Sequence, residues 1–334
     1  MKLSLRQLPP LVRGAVRFSE KEGWFCFNRF TEKQTEAYRA TGNLDFVGKS
    51  FASASMRLAF RTDSRRLAFA YRHQRASSRP FAWFDLYLDG VMTGHFGADN
   101  VTDGYEGKAD LDLGVGTKLV ELYFPWSRRT DLRDVELDDG TTFAPVRRPR
   151  KLLAYGDSIT HGYDAVYPSL AYIEQFASLI HADTVNKAIA ADYFFPELID
   201  GEDFENPDLI TVAYGTNDWC RRTRESTSER ARAFLHKLSS RYPGIPVFAI
   251  SPIWRGDWND YESRPFQAPA TMVDALIREA AEGLPNVTVL RGWPFVPHLP
   301  EFFSDRRLHP NDLGFGSYAR NLYLAIRETE LFHS

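Results

Sequence analysis

The hydrophobic pattern of this 334-residue chain changes period once, near residue 150. Before that point apolar residues alternate singly with polar ones. Met56, Leu58 and Phe60 interleave with Ser55, Arg57 and Arg61. Leu67, Phe69 and Tyr71 repeat the pattern ahead of a polar loop, Arg72 to Arg79. Phe84, Leu86 and Leu88 alternate with Trp83, Asp85 and Tyr87, and Asp89-Gly90 supplies a hairpin turn. Leu111 and Leu113, Leu119 to Tyr123, and Val135 with Leu137 extend the series. Period two reads as half-buried strands, and many short strands read as a sandwich or jelly roll. No helix is expected in this part.

Thr141 to Lys151 reads as a junction, because Pro145, Arg147, Arg148, Pro149 and Arg150 form a linker composition that packs poorly. Beyond it, apolar strand runs alternate with helical spacing. The expected strands are Leu152 to Tyr155, Thr184-Val185, Asp208 to Tyr214, Val247 to Ile250 and Val287 to Leu290. The expected helices are Tyr172 to Ala182, Ser228 to Tyr242, Thr271 to Ala281 and Leu313 to Arg327. This alternation predicts a parallel sheet covered by helices on both faces. Two domains follow: an all-β unit over 1–146 and an α/β unit over 147–334.

Composition narrows the function classes. The net charge is −3, with 43% hydrophobic and 25% charged residues, as in an ordinary soluble enzyme. The positive charges of the first part are scattered, so nucleic-acid binding is not implied. The N-terminus lacks an apolar core of signal-peptide length, and no stretch suits a membrane span. Cys26 and Cys220 lie far apart and read as free thiols in a reducing compartment. A cytoplasmic location is the expectation. None of the eight histidines shows metal-ligand spacing, so neither metal nor cofactor is expected.

Four short blocks carry the chemistry. Gly156-Asp157-Ser158 follows the first strand of the α/β unit, where a turn serine is held out of the sheet. Asn186 to Asp192 and Gly215-Thr216-Asn217-Asp218 follow the next two. Asp305 and His309-Pro310-Asn311 precede the last helix. In parallel sheets the ligand site lies at the carboxyl ends of the strands, so the strand-end blocks converge. Together they offer a nucleophile, a polar oxyanion donor and a histidine base with an acid nearby.

In these blocks the chain resembles the GDSL/SGNH hydrolases, over residues 151–330. The resemblance implies a flavodoxin-like α/β/α domain in which Ser158 is the nucleophile, His309 the base and Asp305 its orienting acid. It implies oxyanion donors at the Ser158 N–H, the Asn217 amide and a backbone N–H that falls on Ala191. Two departures stand out. The family usually has glycine where Ala191 stands, and alanine adds strain there if φ must be positive. The family acid usually lies three residues before the histidine, whereas Asp305 lies four before His309, so a backbone carbonyl is the alternative orienter.

An all-β module before such a domain resembles certain bacterial carbohydrate esterases. The expected substrate is therefore a small ester, an O-acetyl group on a sugar. A lipid esterase and a catalytically silent binding protein are the rivals. Trp219 and Trp254 follow strand ends near the site and are the expected substrate contacts, with His161 as a pocket residue. Trp83 and Trp126 are expected in the core or at interfaces. Asp157 is expected to hold its own loop, and Asp312 to cap the final helix.

Overall fold

The computed structural model describes residues 1–329. The first part is built from β1 (Val12–Arg13), β2 (Arg17–Lys21), β3 (Trp24–Asn28), β4 (Arg57–Thr62), β5 (Arg66–Arg75), β6 (Ala82–Leu88), β7 (Val91–Ala98), β8 (Tyr105–Asp112), β9 (Lys118–Tyr123), β10 (Arg128–Leu137) and β11 (Phe143–Pro145). They form two antiparallel sheets. One runs β1-β4-β9-β6-β7, with β11 also on β4, and the other runs β2-β3-β10-β5-β8. Their inward side chains, among them Leu58, Phe60, Phe69, Phe84, Val120, Leu122 and Leu132, make one dry core.

Contrary to the sequence reading, this part contains two helices, α1 (Glu32–Ala40) and α2 (Leu44–Ser50). Helix α1 has no apolar stripe to announce it. Its start is fixed by a capping box between Thr31 and Gln34, and Tyr38 is fully buried on its inner face. The junction also packs better than its composition implies. β11 pairs with β4, and Arg148 Nη2 donates to Glu121 (3.0 Å) and to the Tyr123 hydroxyl (3.1 Å).

The second part carries β12 (Arg150–Gly156), β13 (Ala182–Asn186), β14 (Leu209–Ala213), β15 (Val247–Ile250) and β16 (Val287–Leu290). All pair in parallel, in the order β13-β12-β14-β15-β16. The helices are α3 (Ser158–His161), α4 (Tyr172–Leu179), α5 (Glu197–Asp200), α6 (Thr216–Arg221), α7 (Arg224–Arg241), α8 (Val273–Ala281) and α9 (Asp312–Arg327). Separate apolar clusters fill the two faces: Ile173, Phe176, Phe315 and Leu322 on one, Phe234, Leu235, Leu238 and Ile277 on the other. This is the flavodoxin-like three-layer arrangement, and its strand order reverses between β12 and β14. Ser158 follows β12 and Asn217 follows β14, so both sit beside the crevice that such a reversal opens. Among the described residues no helix is long and apolar enough to cross a membrane.

Candidate active site

Ser158 is the first residue of α3. Asp157 caps that helix through a bond from the Ile159 N–H (3.0 Å). Asp157 is buried, and burial pushes its carboxyl up to about 6. The turn tolerates nothing larger than glycine at 156, because a Cβ there would collide with the Thr160 side chain. The Ser158 N–H lies in the first turn, where a helix has no acceptor of its own.

The last block closes on this serine. His309 Nε2 lies 3.0 Å from Ser158 Oγ, and His309 Nδ1 lies 3.0 Å from Asp305 Oδ2. A carboxylate at Nδ1 keeps the ring proton there, which leaves Nε2 to accept from the serine hydroxyl. The other Asp305 oxygen accepts from the N–H groups of Arg307 (3.0 Å), Leu308 (2.6 Å) and His309 (3.1 Å). Partial burial opposes the Asp305 charge. The bonds from the His309 ring and the Leu308 and Arg307 amides outweigh it and hold the carboxyl well below the usual carboxylate range. The extra residue between acid and histidine is taken up at Arg306, whose φ is +59°. Asp312 does not cap α9. Asn311 does, and Asp312 instead accepts from the Val166 N–H at 3.0 Å.

The second block is tied to the turn after Ser158, since Asn186 Nδ2 donates to the Thr160 carbonyl, and its far end holds Asn217. Asn217 Nδ2 donates to the Asp192 carbonyl at 2.8 Å, which fixes its amide and leaves a second N–H free of that bond. Asp192 itself is buried, accepts from the Tyr38 and Tyr214 hydroxyls, and is pushed by burial up to about 8. Ala191 has φ +71°, so the residue where the family favours glycine does sit in the left-handed region. Gly215, with φ +112°, starts α6, and a Cβ there would meet Val273 at 2.7 Å.

Residues of the first part hold this block. Arg29, fully buried, donates to the carbonyls of Asn186 (2.7 Å), Ala188 (2.6 Å), Ala52 (2.8 Å) and Lys49 (3.1 Å). Lys49 Nζ reaches the Ala190 carbonyl (3.2 Å), and Lys187 Nζ reaches Gln34 (2.8 Å). Asn186 Nδ2 donates to Ser55 Oγ (3.1 Å) and to the Thr160 carbonyl (2.8 Å). None of these contacts is visible in the sequence, where Arg29 looks like any surface arginine.

Two expected substrate contacts are corrected. Trp219 is completely buried, donates to the Ala268 carbonyl (2.7 Å), and has the Arg255 and Arg264 guanidiniums over its ring at 4.7 and 3.9 Å. It follows the right strand, but α6 turns its ring into the core. His161 is 1% exposed, bonds the Trp126 carbonyl (3.1 Å), and is held neutral by burial. It supports the loop rather than lining a pocket. Trp254 is half-buried, stacked on His298 and packed against Phe303.

The cavity that does open beside the acid–base pair has a volume of about 350 Å³. Asp305, Ser304, Asp164 and Val166 line one side, and Arg79, Phe81, Trp83 and Asp99 of the sandwich line the other. Trp83, expected in the core or at an interface, is a wall of the cavity. Among the described residues, no group of three or more His, Cys, Asp or Glu is placed to hold a metal ion.

Residues 154–315 match the model of the GDSL-like lipase/acylhydrolase family. The chain carries a GDSL-like acylhydrolase domain. This GDSL-like protein is a carboxylic ester hydrolase of the SGNH type. Its fold is shared over nearly the whole length with solved structures. One is the salicylyl acyltransferase SsfX3 from a tetracycline biosynthetic pathway, with 25% identity, TM-score 0.78, and coverage of 95% of this chain and 93% of that one. Another is a family two carbohydrate esterase from Clostridium thermocellum in complex with cellohexaose, with 14% identity, TM-score 0.66, and coverage of 95% and 98%. A third is a family two carbohydrate esterase from Cellvibrio japonicus, with 17% identity, TM-score 0.66, and coverage of 96% and 95%. No curated protein matches the sequence.

Proposed function

We propose that this GDSL-like protein removes small acyl groups, O-acetyl above all, from a hydroxyl of a carbohydrate, with Ser158 as nucleophile. The observation that carries the reading is the chain Ser158 Oγ–His309 Nε2, His309 Nδ1–Asp305 Oδ2, each link 3.0 Å. His309 takes the serine proton as Oγ adds to the ester carbonyl. The oxyanion is met by the Ser158 and Ala191 N–H groups and the free Asn217 amide N–H. Collapse expels the sugar hydroxyl, which recovers its proton from His309. Water then releases the acyl group by the same steps, and no cofactor enters the balance.

The cavity supports a sugar as the leaving group. Phe81 and Trp83 offer aromatic surface, and Asp99 and Asp164 offer acceptors for hydroxyls. Three carboxylates around one small cavity suit a polyol better than an acyl tail, which argues against the lipid rival. The carbohydrate esterase of like fold that holds cellohexaose points the same way. The unpaired thiols of Cys26 and Cys220 fit a reducing, cytoplasmic setting.

The test is labelling by a fluorophosphonate probe together with turnover of p-nitrophenyl esters. Wild-type protein should label at Ser158 and prefer acetate to octanoate. Ser158→Ala should remove both label and turnover while melting at an unchanged temperature. Persistent turnover in that variant, or an octanoate preference, would sink the reading. A second reading, transfer of the acyl group to an alcohol in place of water, is favoured by the likeness to the salicylyl acyltransferase. Acyl-alcohol products appearing when alcohols are added, at the expense of free acid, would establish it.

A further inference from the structure

His309 faces a second carboxylate. Asp164 Oδ2 lies 3.7 Å from the same Nδ1 that Asp305 holds at 3.0 Å. Asp164 is 11% exposed and has φ +74°, a backbone state that aspartate tolerates at some cost. It is not left bare. Arg79 reaches over from the sandwich and binds both its oxygens, Nε at 2.5 Å and Nη2 at 3.0 Å. The same guanidinium covers the Tyr163 ring at 5.1 Å. Tyr163 in turn packs on the His309 ring, with centroids 5.8 Å apart, and its hydroxyl accepts from the Ser78 N–H. Trp126 Nε1 donates to the Ala165 carbonyl, one residue beyond Asp164.

We propose that Arg79 is a positioning residue for His309: by engaging both oxygens of Asp164 it cancels a competing charge and leaves Asp305 as the partner of Nδ1. The proposal rests on the serine-hydrolase reading above. Its logic is electrostatic. Two carboxylates within 4 Å of one ring N–H compete for it, and a negative charge left without a counter-charge attracts any cation beside it. The groups around the ring are few. Asp305 and Asp164 face Nδ1, Ser158 faces Nε2, Tyr163 covers a face, and buried Asp157 lies close enough to sense the ring's charge. Arg79 binds Asp164 from the sandwich. A bidentate guanidinium also fixes where that carboxylate points, which a single lysine ammonium does not.

The experiment compares Arg79→Met, Asp164→Asn and the double variant. In Arg79→Met the unopposed Asp164 should move the acid limb of kcat/KM for p-nitrophenyl acetate up by about one pH unit. kcat should fall about tenfold, part of what a well-placed base contributes. Asp164→Asn alone leaves Arg79 unopposed and should move the limb the other way. Adding Asp164→Asn to Arg79→Met should return both limb and kcat to within about threefold of wild type. The imidazole titration itself, followed by NMR and assigned by its loss in His309→Gln, should shift in the same directions. It needs no turnover, so it judges Arg79 even if probe labelling were to reject Ser158 as nucleophile. An unmoved titration in Arg79→Met, or equal impairment of the single and double variants, overturns the proposal. If Arg79→Met fails to fold, an unmoved titration in Asp164→Asn overturns it equally.

Discussion

The two segments assigned to the proposed acid–base and oxyanion roles are built in opposite ways. The acid–base arm, 304–311, is an exposed loop that organises itself: one Asp305 oxygen gathers three consecutive-residue amides and the other takes the histidine ring. The oxyanion arm, 186–192, makes little of its own structure. Its carbonyls and side chains are tied to Arg29, Gln34, Tyr38, Lys49 and Ser55, all from the first part of the chain. A group that must transfer a proton can rest on local bonds. Donors that must sit at fixed positions around a developing charge gain from a rigid, buried frame, because preorganisation is what they contribute.

Breaking the local arm should have the largest effect. Asp305→Asn should keep the fold and lower kcat by about 10⁴, since the wrong ring tautomer is then held. A loss below about tenfold would mean that Asp164 takes over at Nδ1, and the arm would be less self-contained than its geometry indicates. Next comes the donor side. Asn217→Ala should cost about 10² to 10³ in kcat and leave KM nearly unchanged, as steady-state kinetics will show. A change confined to KM would move Asn217 from the oxyanion to ground-state binding.

Arg29→Met sharpens the contrast from a distance. It removes a donor from four buried carbonyls in two parts of the chain, of which that of Lys49 keeps a bond from the Ala52 N–H, so urea denaturation should report a loss of about 3 kcal/mol. Activity on acetate esters at low denaturant should drop with it, whereas removing an exposed arginine such as Arg278 should do neither. The smallest effect is expected at Ala191. Ala191→Gly relieves a left-handed alanine, worth about 1 kcal/mol, and should raise the melting temperature slightly with kcat held. A lower melting temperature would show that the alanine methyl packs more favourably than its backbone is strained.

The same contrast explains what was legible in the sequence. Local signals were readable. The apolar runs ending at Gly156 and Gly215 announced parallel strands, and the blocks behind them put Ser158 and Asn217 at the carboxyl ends of those strands. Asp305 was readable because it lies in the same loop as the residue it holds. What joins the two parts was not. Arg29, Lys49 and Arg79 look like solvated charges until the chain is folded, since nothing local distinguishes a buried arginine from an exposed one. Helix α1 was missed for a related reason: it is anchored by Tyr38 and a capping box rather than by an apolar stripe. Trp219 was misplaced because position after a strand fixes where a residue starts, not which way its ring turns.

The span of the Arg29 contacts bears on how the molecule comes into being. Its guanidinium meets carbonyls 157 and 159 positions away. Contacts so distant in sequence carry a large loop-closure entropy and form late in folding. During synthesis the sandwich is complete before Asn186 leaves the ribosome, so it can present Arg29 as a ready-made mould for the segment that follows. The second part released alone would find no such mould, so residues 186–192 should settle only after both parts have docked.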